Sequence, residues 1–203
     1  MQIFKQENLN ILEIVEKLKQ GQTIVYPTET VYGLGCDATQ QVAVDKIFKI
    51  KQRQLDKAVL VLMADVAMAM NYVEWNKDLD EIAQKYWPGA LTIVARAKFN
   101  SGLAKNVVAE DGTVAFRVTG HALCAEIIEA LGCPLVSTSA NISSEKSPSD
   151  IQTVLNSFEK KENQPDIIID AGELPHLAPT TIIKIEDGQI IVLRQGEVRV
   201  DVV

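Results

Sequence analysis

Residues Tyr26 to Ala38 read YPTETVYGLGCDA and follow the apolar run Thr23-Ile24-Val25. That run predicts a β-strand ending at Pro27. Beyond it, Thr28, Glu29, Thr30 and Tyr32 are set around Gly33 and Gly35. A helix would not hold a proline and two glycines so close together, and an ordinary connecting loop would be more polar. Hydroxyls and a carboxylate delivered by the end of a buried strand point to a site.

Strand and helix patterns alternate outward from this stretch. A helix is expected over 9–19, with Ile11, Ile14, Val15 and Leu18 on one face and Gly21 beyond its end. A second helix covers 41–50, a strand 58–63, a helix 79–86 halted by Trp87-Pro88-Gly89, and a strand 91–95. Strands follow at 113–118 and 135–139, with an amphipathic helix between them over 121–131. Ser149-Asp150-Ile151-Gln152 has capping-box spacing and should open a helix to Glu159. A strand at 166–170 precedes a hairpin of 180–186 and 189–194, turned by Asp187-Gly188. Crossover helices together with a hairpin predict an α/β fold on one twisted mixed sheet, organised as a single domain over 1–203.

Composition narrows the function. The chain has 203 residues, 47% of them hydrophobic, and no apolar run near the roughly 20 residues that cross a bilayer. Its start lacks the charged and apolar regions of a signal peptide, which predicts a cytoplasmic location. Three cysteines without CxxC spacing and only two histidines argue against a disulfide frame or a histidine metal centre. The net charge of −7 argues against an extended grip on nucleic acid, so phosphate binding must rest on a local cluster of cations.

Four such groupings stand out. Lys51-Gln52-Arg53, with Lys57 close behind, puts three cations in seven residues where the second helix gives out. In an extended segment Lys51 and Arg53 share a side and suit phosphates, although, taken alone, a solvated helix C-terminus is the better reading of them. Strand alternation places Thr113, Ala115 and Arg117 on one face, where Arg117 is either an edge-strand charge or the holder of an anion. Ser137 and Ser139 share a strand face, with Asn141 just past the end and Ser147 before the capped helix. A two-residue hairpin turn sets Thr181 opposite Arg194. Phosphate-loop, dinucleotide, nucleophile-elbow and HExxH signatures are absent from the sequence. Hydroxyls, amides and cations at strand ends suit an anionic small molecule.

Taken together, Tyr26–Ala38, Lys51-Gln52-Arg53, Trp87-Pro88-Gly89, Arg117 and Ser137-Thr138-Ser139-Ala140-Asn141 resemble the TsaC/YrdC family of threonylcarbamoyl-AMP synthases. The likeness runs from residue 8 to Arg194, and the segment KQRQLDKAVLVL looks like the short bacterial form without the extra C-terminal domain of longer relatives. It implies a YrdC-like fold with a large basic cavity. It also implies formation of threonylcarbamoyl-AMP and pyrophosphate from L-threonine, bicarbonate and ATP. Other proteins would then pass the threonylcarbamoyl group to tRNAs that read ANN codons.

Carried onto this chain, the resemblance assigns L-threonine to Thr30, Arg117, Ser137 and Thr180. It assigns ATP to Lys51, Arg53, Lys57, Thr113, Ser139, Asn141, Ser147 and Arg194, with Lys51 and Arg53 catalytic. Thr180 conflicts with the hairpin register, which favours Thr181. Leu62 stands where longer relatives carry a histidine near the substrate, so shape is expected from it and no hydrogen bond. The opening stretch becomes a wall of the amino-acid pocket, its glycines allowing a tight backbone turn. Mg²⁺ is expected to arrive with ATP, with no protein ligand of its own, and direct tRNA contact to be weak at most. The main rival is an RNA-binding module without this chemistry, which 5% aromatics and a pI of about 4.9 disfavour.

Overall fold

The computed structural model describes residues 1–201 apart from Asp56, Ser144, His176 and Asp187. In chain order the elements are β1 (Gln2–Lys5), α1 (Ile11–Lys19), β2 (Ile24–Pro27), β3 (Tyr32–Gly35), α2 (Gln41–Lys51), β4 (Leu60–Met63), α3 (Val66–Tyr72) and α4 (Lys77–Tyr86). They continue with β5 (Leu91–Arg96), β6 (Thr113–Val118), α5 (Ala122–Leu131), β7 (Leu135–Ser139), α6 (Ile151–Phe158), β8 (Ile167–Asp170), β9 (Thr181–Glu186) and β10 (Gln189–Arg194). The strands form one mixed sheet in the order β1-β8-β2-β3-β7-β4-β6-β5-β9-β10.

Residue parity divides the sheet into two faces. Val25, Leu34, Val61, Met63, Phe116 and Val136 point to a large core closed by α2, α4 and α6. Their neighbours Ile24, Tyr26, Leu62 and Leu135 point the other way, against α1 and α5. Those two helices cover β8, β2 and the near parts of β7 and β4. The remainder of that face, from the turn before β3 across β6 to β9 and β10, is left open and becomes a cavity.

Local chemistry sets the element ends. The Asn10 side chain accepts from the backbone N–H of Leu12 and Glu13, so α1 begins at Ile11 and not at Leu9. The cap of α6 is Asp150, bonded to the Thr153 N–H, and not Ser149 of the capping-box pattern. Helix α2 runs one residue past Ile50 and ends at Gln52, whose left-handed φ of 50° breaks it. Lys51 therefore belongs to the helix, not to an extended segment shared with Arg53.

Elements β1, α3 and β3 were not foreseen, nor was the 3₁₀ turn Gln6–Asn8. Gly33 and Gly35 lie inside β3, paired antiparallel with Tyr26 and Ile24. They serve close packing and not a tight turn. A Cβ at Gly35 would lie 2.0 Å from the Val136 carbonyl oxygen, and one at Gly33 would lie 3.1 Å from the Tyr26 ring. The turn itself is residues 28–31, closed by Thr28, whose Oγ1 donates to the Val31 carbonyl (2.6 Å) and accepts from the N–H of Thr30 and Val31.

The closing hairpin pairs as expected from Gln189↔Glu186 to Val192↔Ile183, then slips by a bulge so that Arg194 opposes Ile182. The Thr181–Arg194 pairing is thereby overturned. Its turn residue Asp187 lies outside the described residues.

Candidate functional site

The open part of the sheet face holds a cavity of about 330 Å³, lined by Thr28, Thr30, Leu60, Ala115, Arg117, Ser137, Thr180 and Arg194 among others. A second depression of about 570 Å³ adjoins it, lined by Lys51, Arg53, Lys57, Asn141, Ser143 and Glu145. Arg53, Ser139 and Ser147 line both, so the two spaces are halves of one site. Of the twelve site residues expected, eleven border it; Thr113 alone does not. Thr113 donates through Oγ1 to Asp111 (2.6 Å) and borders a separate hollow at the sheet end with Trp75, Arg96 and Lys184.

Arg117 dominates the smaller half. It is 3% exposed and lies on β6, an interior strand between β4 and β5, which overturns the edge-strand alternative. Its Nη2 pairs with Glu29 Oε2 at 2.9 Å. Its Nε and Nη1 are buried and have no hydrogen-bond partner among the described residues. A buried guanidinium with unfilled donors is costly unless an anion completes it. Glu29 supplies part of that compensation, and a carboxylate in the cavity adds to it in charge.

Glu29 is anchored in turn. Its Oε1 accepts from Thr119 Oγ1 (2.8 Å) and the Gly120 N–H (2.7 Å). Burial works against its charged form, but the Arg117 guanidinium and these hydrogen bonds outweigh it and hold the carboxyl below its ordinary pKa.

In the larger half, Lys51 is 2% exposed at the end of α2. Its Nζ donates to the carbonyls of Ser139 (2.5 Å) and Asn141 (2.8 Å) and to Asn141 Oδ1 (3.3 Å). Asn141 Nδ2 donates onward to the Glu145 carbonyl (2.6 Å), and the Ser143 N–H donates to the Lys51 carbonyl. Lys51 thus fixes the turn after β7 while lending it charge. Burial, and next the nearby Arg53, lower its pKa to about 8 against an upward pull from Glu145. Arg53 bends back onto the carbonyls of Lys57 and Ala58, closing the loop that carries both cations. Lys57 is exposed at its rim.

Thr180 settles the hairpin conflict. Arg194 Nη2 donates to the Thr180 carbonyl (2.7 Å) and to its Oγ1 (2.9 Å), which also lies 3.1 Å from Thr92 Oγ1. Thr181 turns away and donates to the Val198 carbonyl. Leu62 is fully buried against α1 and α5 and does not border the cavity; Leu60, its neighbour on the same strand face, does. Sequence reasoning missed Leu60 and Ser143, and left the Glu29 carboxylate without its main partner, Arg117. Ser143 Oγ is buried without a partner among the described residues, beside the cations. The Ser137–Asn141 pattern offered the nearest signal for it.

The lining fits anions. Around the larger half the charges are Lys51, Arg53 and Lys57 against Glu145. Among the described residues no three His, Cys, Asp or Glu gather as metal ligands. Nor is any helix long and apolar enough to cross a membrane.

Comparison with known proteins gives a consistent picture. The family Sua5_yciO_yrdC, described as "Telomere recombination", matches residues 16–196. A Methanocaldococcus jannaschii protein, provisionally named a threonylcarbamoyl-AMP synthase, is 32% identical over 95% of this chain and 88% of its own. The threonylcarbamoyl-AMP synthase of Vibrio vulnificus is 39% identical over 137 residues, 66% of this chain and 73% of its own. Among solved structures, P. abyssi Sua5 complexed with L-threonine superposes with a TM-score of 0.85 at 28% identity. The match covers 96% of this chain and 57% of that one.

Proposed function

The chain belongs to the Sua5/YciO/YrdC family, and we propose on that footing that it is a threonylcarbamoyl-AMP synthase. It joins L-threonine, bicarbonate and ATP into threonylcarbamoyl-AMP, with release of pyrophosphate. The observation that carries this reading is the joined hollow: buried Arg117 lines its smaller half, and Lys51, Arg53 and Lys57 line the larger.

In this reading Arg117 holds the threonine carboxylate, with Thr30, Ser137 and Thr180 around the amino acid. Arg53, Lys57, Ser139, Ser147 and Arg194 receive the nucleotide, and Lys51 with Asn141 sets the turn that presents them. Thr113 enters only if the adenosine end reaches the sheet end. The threonine amine adds to bicarbonate-derived CO₂ and loses a proton to give a carbamate. A carbamate oxygen then bonds to the α-phosphorus as the bond to the pyrophosphate oxygen breaks. The site's contribution is to hold two anions in contact and offset the charge that grows on the phosphates. Such positioning supplies roughly 7–11 kcal/mol in favourable cases, which suits a site without an evident general base.

Mg²⁺ arriving with the triphosphate would neutralise charge on the phosphates, and no residue of the chain is assigned to hold it. The protein works as one domain in the cytoplasm. Its product passes to the proteins that modify tRNA, with at most weak tRNA contact of its own. The RNA-binding alternative gains nothing from a chain with net charge −7.

The test is pyrophosphate release by the purified protein with ATP and bicarbonate, with and without L-threonine, beside Arg117→Ala and Lys51→Ala. Release that needs both co-substrates and collapses in the variants supports the reading. Release indifferent to threonine overturns it.

A further inference from the structure

The geometry points to Glu29 as a positioning residue for L-threonine, acting through Arg117; this rests on the function proposed above. Glu29 does not border the cavity. It stands behind Arg117, with one carboxylate oxygen on Nη2 and the other held by Thr119 and Gly120, just beyond the end of β6. It also lies between Thr28 and Thr30 in the turn that walls the amino-acid pocket. One carboxylate therefore ties that wall to the strand that carries the guanidinium.

Two consequences follow from this placement. The carboxylate compensates the buried Arg117 charge in the empty site, so the arginine need not swing toward solvent or another acceptor. It also holds the Nη2 end of the planar guanidinium by an ion pair, which fixes where the charge sits when the substrate carboxylate arrives. Arg117 then lies between two carboxylates, one resident and one brought by the substrate.

Glu29→Gln separates these roles from simple scaffolding. The amide oxygen still accepts from Thr119 and Gly120, while the amide NH₂ now faces Nη2 with a donor against a donor. The expected result is a rise of tenfold or more in the L-threonine Kd, read by calorimetry, with the ATP Kd unchanged and the thermal midpoint within a few degrees. A double-mutant cycle with Arg117→Lys gives the decisive readout. If Glu29 acts through Arg117, Glu29→Gln costs little further affinity in the Arg117→Lys background.

An unchanged threonine Kd, an equal loss of ATP and threonine binding, or the same penalty in both backgrounds each overturns the inference. Wild-type protein that binds no L-threonine overturns the proposed function, and the inference with it. Wild type that binds threonine beside a Glu29→Gln variant that binds it equally well overturns the inference alone.

Discussion

ATP binding should take up a proton through Lys51, and the effect can be sized from the structure. Three acceptors support the charged form of Lys51, but burial and the adjacent Arg53 lower its pKa to about 8, from 10.5 for an ordinary lysine. At pH 8 roughly half of the free molecules carry a neutral Lys51. A triphosphate placed against Lys51 and Arg53 favours the cation and restores the proton. Uptake of about half a proton per ATP is therefore expected at pH 8, falling toward zero below pH 7. From this group alone, ATP affinity should weaken by up to about tenfold per pH unit above 8. The linked effect on stability has the opposite slope. Between pH 8 and 10.5 the unfolded chain holds the proton and the folded one does not, so stability rises with pH across that window. At 1.36 kcal/mol per pH unit the rise is at most about 3 kcal/mol. Calorimetry at pH 8 in buffers of different ionisation enthalpy gives the uptake directly, with Lys51→Arg as the control that keeps the charge and does not titrate. No uptake in wild type, or equal uptake in Lys51→Arg, would refute the reasoning.

Three further outcomes follow from particular contacts. Gly35→Ala places a methyl group 2.0 Å from the Val136 carbonyl oxygen and 3.0 Å from the Tyr26 ring, so it should cost about 3 kcal/mol or more in urea unfolding; a near-neutral change would mean β3 can shift. Leu60 and Ala115 form an apolar floor between Ser137 and Arg117, so Leu60→Ala should narrow the preference for L-threonine over L-serine. One methyl group in an apolar pocket discriminates by roughly 10–200-fold, and a kcat/KM ratio unmoved by the substitution would place the methyl elsewhere. Thr180→Val removes one of three Arg194 hydrogen bonds and leaves the two to the carbonyl, so the KM for ATP should rise by roughly threefold to tenfold with little change in kcat. A fall in kcat alone would give Thr180 a different role.

The parts of the fold that were legible in the sequence are those where one local signal acts alone. Strand 113–118 alternates along its length, and the face of α1 repeats at helical spacing. The elements that escaped are those decided by distant neighbours. Gly33 and Gly35 read as breakers in isolation, yet in the sheet each makes room, one for Tyr26 and Thr28 and the other for the Val136 carbonyl. Strand β1 is four residues on the sheet edge, paired only with β8, which lies some 165 residues along the chain, as the Lys5–Asp170 contact spans. The bulge after Val192 carries no proline or glycine to announce it, and it exchanged Thr181 for Thr180 beside Arg194.

The site divides along the same line. Side chains that border it through their own strand parity, such as Ser137, Ser139 and Arg117, could be assigned from one segment, and Thr113 failed because parity says nothing of where along the strand the cavity stops. What no single segment contains is the state of each charge. Arg117 read alone was either an edge-strand charge or an anion holder, and only its interior strand, its burial and its Glu29 partner decide between them. Lys51 read alone was a solvated helix end or a phosphate ligand, yet its Nζ donates to Ser139 and to Asn141, some ninety residues away. Its charge reaches the pocket while its donors hold the turn. The segments that carry this site are therefore more interdependent than their spacing implies. A substitution at Lys51 acts on the placement of Ser139 and Asn141 as much as on phosphate affinity, and loss of activity there does not by itself identify a contact with ATP.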